Sequence, residues 1–218
     1  MTEQTKSFHL YPLFMKLEGR PCLVVGGGSV AERKINGLLD AGAAVTVISP
    51  EATDRIQMLS QTNHVLWQRK TFAATDLKGE FLAVAATDDQ SINSSIAAVC
   101  RARGILVNVA DEPELCDYIV PAVLRRGALC IAVSTEGKSP VLAQKLRSEI
   151  EQIITAPYAE FLDLLGQQRE IIKQVPDAEK REVIFHALVY SDILDLLAAG
   201  KHDQAMERIK ECISSQLG

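Results

Sequence analysis

The feature that most constrains the fold is a glycine triplet, Gly26-Gly27-Gly28, set between an apolar run and a helical pattern. Cys22-Leu-Val-Val25 ahead of it is short, continuous and apolar, which reads as a buried parallel strand. Behind it, apolar residues at 30, 31, 35, 38 and 39 recur at helical spacing, and Gly42 is placed to close the helix. Val45-Thr-Val-Ile48 reads as a second strand, stopped by Ser49-Pro50. Strand, tight turn, helix and parallel strand make one βαβ unit. An ordinary structural turn also uses glycines, but here three flanking elements agree, and the unit reads as the start of a dinucleotide-binding domain.

Within Gly26-x-Gly28-x-x-Ala31, Gly26 allows the tight turn and Gly28 lets the backbone approach a pyrophosphate. Ala31, where a third glycine often sits, keeps the helix close to the sheet. Ser29 and Val30 open the helix, whose free N–H groups and positive dipole end suit phosphates. An acidic residue that grips the ribose hydroxyls usually follows about 20 residues on. Ser49 stands in that neighbourhood, with Glu51 slightly farther. A serine can bond a ribose hydroxyl or tolerate a 2′-phosphate, so this position leaves NAD and NADP open.

The alternation continues with a weak strand at Val65 to Trp67, a strong one at Phe81 to Ala86, a helix from Ile92 to Ala102 and a strand at Ile105 to Val109. Strands alternating with helices indicate a doubly wound parallel sheet. Residues just past the carboxyl ends of its strands face the ligand crevice. Thr87 and Asp88, in Ala85-Ala-Thr-Asp-Asp89, are therefore placed to line the nicotinamide side; alternatively, Asp88 or Asp89 caps the helix that follows.

After Asp111 the grammar changes. Tyr118 to Leu124 and Leu129 to Val133 are β-compatible runs joined by Arg125-Arg126-Gly127-Ala128, which reads as an antiparallel hairpin. Ser139-Pro140 looks like an N-cap with proline at the first helical position, opening a helix to about Ile154. From Tyr158 onward the pattern is helical. The expected class is α/β: a Rossmann-type doubly wound domain over 1–112, a β-hairpin and helix dimerisation segment over 113–154, and a small helical C-terminal domain over 155–218.

Composition narrows the partners. Residues 1–150 carry equal numbers of basic and acidic side chains, so residues 151–218 supply the whole net charge of −5. A neutral front and an acidic tail are a poor footprint for nucleic acid, and aromatics are only 5% of the chain, too few for stacking platforms. The five cysteines show no metal-ligand spacing and sit mostly in apolar surroundings, which reads as buried, reduced thiols. No signal-peptide pattern opens the chain and no apolar run reaches the roughly 18 residues of a membrane span. These observations point to a cytoplasmic protein with no membrane partner.

Five motifs, taken in order, resemble one family. They are Tyr11-Pro-Leu-Phe14, Val24-Val-Gly-Gly-Gly-Ser-Val-Ala-Glu-Arg-Lys34, Ala85-Ala-Thr-Asp-Asp89, Asn108-Val-Ala-Asp111 and Ser139-Pro-Val-Leu-Ala143. Together they are similar to precorrin-2 dehydrogenase, the siroheme synthase dehydrogenase/ferrochelatase family, strongly over residues 10–150 and loosely over the helical tail. The resemblance implies NAD-dependent oxidation of precorrin-2 to sirohydrochlorin, followed in several relatives by insertion of ferrous iron to give siroheme. It also implies a homodimer formed through the segment after the Rossmann domain. Some relatives carry a fused methyltransferase domain that makes precorrin-2. None is found up to Gly218, so the expectation is a stand-alone form served by another protein.

The resemblance further places a catalytic acid at Asp111, where a carboxylate can stabilise the cationic tetrapyrrole left by hydride removal and take its proton. The alternative is that Asp111 only terminates a strand or caps the turn at Glu112-Pro113. Precorrin-2 bears acetate and propionate groups around its rim, so basic groups and helix N-termini should meet it. Lys138, in Ser134-Thr-Glu-Gly-Lys138, is the local candidate, with Ser134 and Thr135 matching a family position where a hydroxyl lies near substrate; alternatively, both hydroxyls are only structural. Arg125 and Arg126 read as a solvated hairpin turn, and Glu136 as facing solvent. His64, His186 and His202 make no ligand-spaced cluster, and no resident metal site is expected. The rival reading is a nonenzymatic Rossmann-type nucleotide-sensing module, which needs the glycine loop but not Asp111 or the Lys138 loop.

Overall fold

Five short strands form one parallel sheet: β1 (Pro21–Val25), β2 (Ala44–Ile48), β3 (Val65–Gln68), β4 (Leu82–Ala85) and β5 (Leu106–Val109). Their order is β3-β2-β1-β4-β5, with Val25 level with Ile48 on one side and Ala85 on the other. The computed structural model describes residues 9–217, so the N-terminal stretch that lacks a signal-peptide pattern lies largely outside the described residues. The chain forms two compact units, Met1–Val120 and Pro121–Gly218.

In the first unit the sheet is covered on both faces. Helix α1 (Ser29–Asp40) buries Ala31, Ile35 and Leu38 against Val24, Val45, Val47 and Val84. Helix α3 (Gln90–Ala102) buries Ile96, Ala97 and Cys100 against Leu23, Val25, Ala83 and Val107. Burial on both faces is why these strands read as apolar runs with no alternation. Between β2 and β3 lies α2 (Asp54–Gln61), which the periodicity does not announce. Only Ile56 and Leu59 of its 8 residues are buried, and it starts because the Thr53 side chain accepts a hydrogen bond from Ile56 N–H.

Among the described residues the edge strand β5 has no further strand beside it. The Asp117 carboxylate accepts from Val107 N–H at 3.0 Å and the Cys116 sulfur accepts from Val109 N–H at 3.2 Å. Side chains here do the work of a neighbouring strand, closing an edge that would otherwise invite pairing. Tyr118 to Pro121, expected as part of a strand, is irregular instead. Tyr118 packs against the core of the first unit and donates its hydroxyl to Ala83 O at 3.4 Å, and burial holds its phenol proton far above the ordinary tyrosine range.

In the second unit the hairpin is β6 (Ala122–Arg126) and β7 (Leu129–Val133), in antiparallel register from Ala122 opposite Val133 to Arg126 opposite Leu129. The turn is therefore Gly127-Ala128 alone, with Gly127 at φ 55 supplying the positive φ that a two-residue hairpin turn demands. Arg125 and Arg126 belong to the strand and not to a solvated turn. Arg126 donates to Ile154 O and pairs with Glu151 at 3.0 Å, and Glu151 also takes Arg147 at 2.7 Å. The two guanidiniums hold the Glu151 carboxyl below its ordinary range. Helices α4 (Pro140–Ile153), α5 (Pro157–Ile172), α6 (Ala178–Val189), α7 (Ile193–Ala198) and α8 (His202–Leu217) complete the unit. Phe161, Ile172, Ile184, Leu188, Ile193 and Ile209 make its core. Among the described residues no helix is long and apolar enough to cross a membrane.

Candidate functional site

The strand order reverses between β1 and β4, and a cavity of about 760 Å³ opens at their carboxyl ends, within the first unit. Parallel doubly wound sheets place their ligands at this switch point, and the volume is that of a cofactor site. Gly26, Gly27, Gly28, Ser29, Val30, Ser49, Thr87, Asp88 and Asp111 all line this cavity.

The three glycines have different physical reasons. Gly26 has φ 123, and a Cβ there would stand 2.1 Å from Ala86 O. Gly27 presses on the loop after β2, where a Cβ would be 1.9 Å from Glu51 O. Its carbonyl accepts from Thr53 N–H at 2.9 Å. Gly28 is the N-cap of α1, and a Cβ added there would meet nothing within 4 Å, so the space above it is open. No side chain of the described residues caps α1, which leaves its first-turn amides and dipole for an anion. A flat, open glycine at an uncapped helix N-terminus fits a pyrophosphate.

Ser49 is buried, donates its hydroxyl to Glu51 O, and gives its own carbonyl to Trp67 Nε1–H at 3.1 Å. Its proton thus shapes the loop, and its oxygen keeps acceptor capacity. Thr53 is a residue that sequence reasoning misses. Its hydroxyl donates to Glu32 at 2.7 Å, joining the cap of α2 to α1 and to the glycine loop. The only advance signal for it is a threonine three residues before the first buried position of α2.

On the opposite wall, Thr87 donates to the buried Asn93 at 2.8 Å. Asp89 caps α3, accepting from Ser91 N–H at 2.8 Å and Ile92 N–H at 3.2 Å, which leaves the exposed Asp88 to the cavity. Asp111 lies two residues past β5 with φ 59. A left-handed conformation is uncommon for a residue with a side chain and is held only where its surroundings determine it.

The other predicted residues lie in the second unit. Thr135 Oγ1 accepts from Ser139 N–H at 3.1 Å and Ser134 Oγ from Glu136 N–H at 3.1 Å, so both hydroxyls brace the loop before α4. Ser139 caps α4, accepting from Leu142 N–H at 3.2 Å. Lys138 is exposed and has no ion-pair partner among the described residues; Glu136 is exposed as well. His64 meets Thr62, His186 stacks on Tyr190, and His202 pairs with Glu160. Among the described residues no group of three His, Cys, Asp or Glu side chains is arranged to hold a metal ion.

Comparison with known proteins agrees with this geometry. A family model described as "Putative NAD(P)-binding" matches residues 13–122. One for the central region of a sirohaem biosynthesis protein matches 126–153, and one for the sirohaem synthase dimerisation region matches 157–213. The siroheme synthase of Methylococcus capsulatus is 42% identical over 199 residues, covering 91% of this chain and 42% of that protein. The siroheme synthase of Ectopseudomonas mendocina is 41% identical over 201 residues, covering 92% and 43%. This chain thus spans less than half the length of those curated relatives. A solved structure titled "SirC, precorrin-2 dehydrogenase" superposes with a TM-score of 0.78 at 28% identity, over 93% of this chain and 100% of that one. The chain belongs to the NAD(P)-binding family of the first model, as the member type that also carries the sirohaem central and dimerisation regions, that of siroheme synthase and precorrin-2 dehydrogenase.

Proposed function

We propose that this chain oxidises precorrin-2 to sirohydrochlorin with NAD, as a homodimer in the cytoplasm. The observation that carries the reading is Asp111, a carboxylate held in a left-handed turn at the rim of the dinucleotide cavity. The nicotinamide, when bound, supplies the hydride acceptor. Gly26 and Gly27 keep the loop flat against its neighbours, Gly28 and the open end of α1 receive the pyrophosphate, and Ser49, Thr87 and Asp88 line the two ends. Loss of hydride leaves a cationic conjugated tetrapyrrole that must shed a proton. The Asp111 carboxylate stabilises that cation and takes the proton.

Lys138, Ser134 and Thr135 meet the substrate carboxylates in this reading. The support is an exposed lysine, without an ion-pair partner among the described residues, in a loop that carries two left-handed residues, Glu136 and Gly137, ahead of a helix N-terminus. The homodimer is supported by the dimerisation model over 157–213 and by α4, which leaves Val141, Leu142 and Ile153 exposed at 80%, 46% and 68%. Five free cysteines suit the reducing cytoplasm. The relatives' name, siroheme synthase, favours a second step in which ferrous iron is a substrate and Asp111 takes one of the two pyrrole N–H protons as the ion enters, the other leaving to solvent.

Anaerobic incubation with precorrin-2 and NAD is expected to yield sirohydrochlorin, followed by its absorbance. Asp111→Ala should lower turnover by about 10²–10⁴ while NAD still binds. Wild-type protein that binds NAD and makes no sirohydrochlorin would leave a nucleotide-sensing module and refute the dehydrogenase reading. Adding ferrous iron to the product separates the second step, which falls if insertion is no faster than without protein.

A further inference from the structure

We propose that Lys34 is a positioning residue: acting through Asn108, it holds the turn that presents Asp111 to the cavity. The proposal rests on the dehydrogenase reading for its kinetic consequence, but not for its structural one.

Lys34 lies on α1, between the buried Ala31 and Ile35, and does not line the cavity. Its Nζ donates to Asn108 Oδ1 at 2.8 Å. Asn108 is 5% exposed on β5, three residues before Asp111. Its Nδ2 donates to Tyr118 O at 2.9 Å and to the Cys116 sulfur at 3.4 Å. The amide therefore ties the start of the 109–118 segment to its end. An ammonium can only donate, so it obliges Asn108 to turn its oxygen toward α1 and its NH₂ toward the segment. A flipped amide would lose both sides at once. The Cys116 sulfur, held in this way, also receives Val109 N–H, while Ala110 N–H is taken by Ala85 O at 2.8 Å. Backbone is thus pinned on both sides of Asp111, which is what a left-handed, non-glycine residue requires.

Packing alone gives no reason for a cation at this place. Burial pushes the Lys34 ammonium below its ordinary range, with Arg33 adding to that, while Cys116 and Asp111 pull it back. A half-buried ammonium hydrogen-bonded to a neutral amide is a poor stabiliser. Its service is geometric: the helix that opens on the pyrophosphate also anchors the carboxylate turn, so cofactor and Asp111 share one frame.

The test pairs kinetics with amide hydrogen exchange. Lys34→Met and Asn108→Asp should each lower kcat about ten- to a hundredfold with the Kd for NAD unchanged. The double variant should be no slower than the slower single, because both break one tether. Lys34→Gln, which keeps a donor, should recover part of the loss. In Lys34→Met the 110–118 segment should exchange faster while α1 keeps its protection. Wild-type kcat in Lys34→Met, additive losses in the double variant, or unaltered exchange across 110–118 would overturn the proposal. A wild-type chain with no precorrin-2 turnover would instead refute the dehydrogenase reading, and the exchange experiment would still decide the tether.

Discussion

Alanine at Gly27 and alanine at Gly28 add one methyl group each, one residue apart, and the structure assigns them opposite effects. At Gly27 the new Cβ would lie 1.9 Å from Glu51 O, 2.4 Å from Ser49 Oγ and 2.9 Å from Ala52 Cα. Two of these three are backbone, and the loop is fastened by Thr53 N–H on Gly27 O, so it cannot swing aside. Overpacking of this kind costs about 1–3 kcal/mol, and fixed neighbours place it at the upper end, near ~3 kcal/mol. For a domain of this size that lowers Tm by on the order of 10 °C. At Gly28 the backbone has φ −82 and ψ −174, open to any residue, and nothing lies within 4 Å of the added methyl. Reduced freedom of the unfolded chain gains about 0.4–1 kcal/mol, and alanine's poorer fit as an N-cap offsets it, so stability should hardly change. The methyl would, however, fill the space a pyrophosphate needs. With NAD at a hundred times its Kd, bound cofactor stabilises by about 2.7 kcal/mol, and a hundredfold weaker site would keep only about 0.4 kcal/mol of it. Thermal melts with and without NAD read all of this. Gly27→Ala should melt low without cofactor, whereas Gly28→Ala should melt like wild type without cofactor and lose its NAD shift. A Gly28→Ala variant with the full NAD shift would refute the pyrophosphate path, and a Gly27→Ala variant that melts like wild type would refute the packing argument.

Two further perturbations test the scaffold. Burial pushes the Cys100 thiol from 9.0 to about 11, with Glu80 and Asp117 adding and Arg103 opposing. A raised folded-state pKa gives stability that is whole below pH 9 and is lost as pH rises toward about 11, on the order of 2 kcal/mol. Denaturant titrations of wild type and Cys100→Ala should therefore converge across that window, and parallel curves would refute the assignment. Ser139→Ala removes the cap on Leu142 N–H and should cost about 1 kcal/mol in the same assay, with Ser139→Asp near wild type.

Most of the parallel sheet is legible in the sequence because every strand but the weak β3 is an apolar run closed by a turn residue, and α1 because its buried positions fall at helical spacing. Ser139-Pro140 announces α4 through the chemistry of helix starts, and the Ser139 side chain accepts a first-turn amide. Helix α2 is not legible, since two buried residues in eight make no periodicity. The hairpin turn is narrower than the sequence suggests because Arg125 and Arg126 look like solvent residues, whereas Arg126 spends its charge on Glu151. At the cavity, glycines and strand ends point to residues that line its walls. The division of work between Asp88 and Asp89 needs the hydrogen bonds, because either carboxylate has the spacing of a cap.

The segment from Asp111 to Pro121 is where local pattern fails most, and the failure has a physical cause that bears on function. Its last part, from Tyr118, reads as a strand, but the edge of β5 is closed instead by the Cys116 sulfur, the Asp117 carboxylate and Asp117 N–H on Val107 O. Pattern reasoning counts backbone ladders and has no means to see a thiol or a carboxylate standing in for one. The chain turns back directly after β5, with residue 111 at φ 59 among the residues that line the cavity. Sequences that satisfy local rules elsewhere tend to break them where a site must be built. Lys34 and Asn108 fit that logic, since a half-buried cation on a helix bonded to a buried amide on the edge strand is a poor stabiliser and a sound anchor for a turn that must not move.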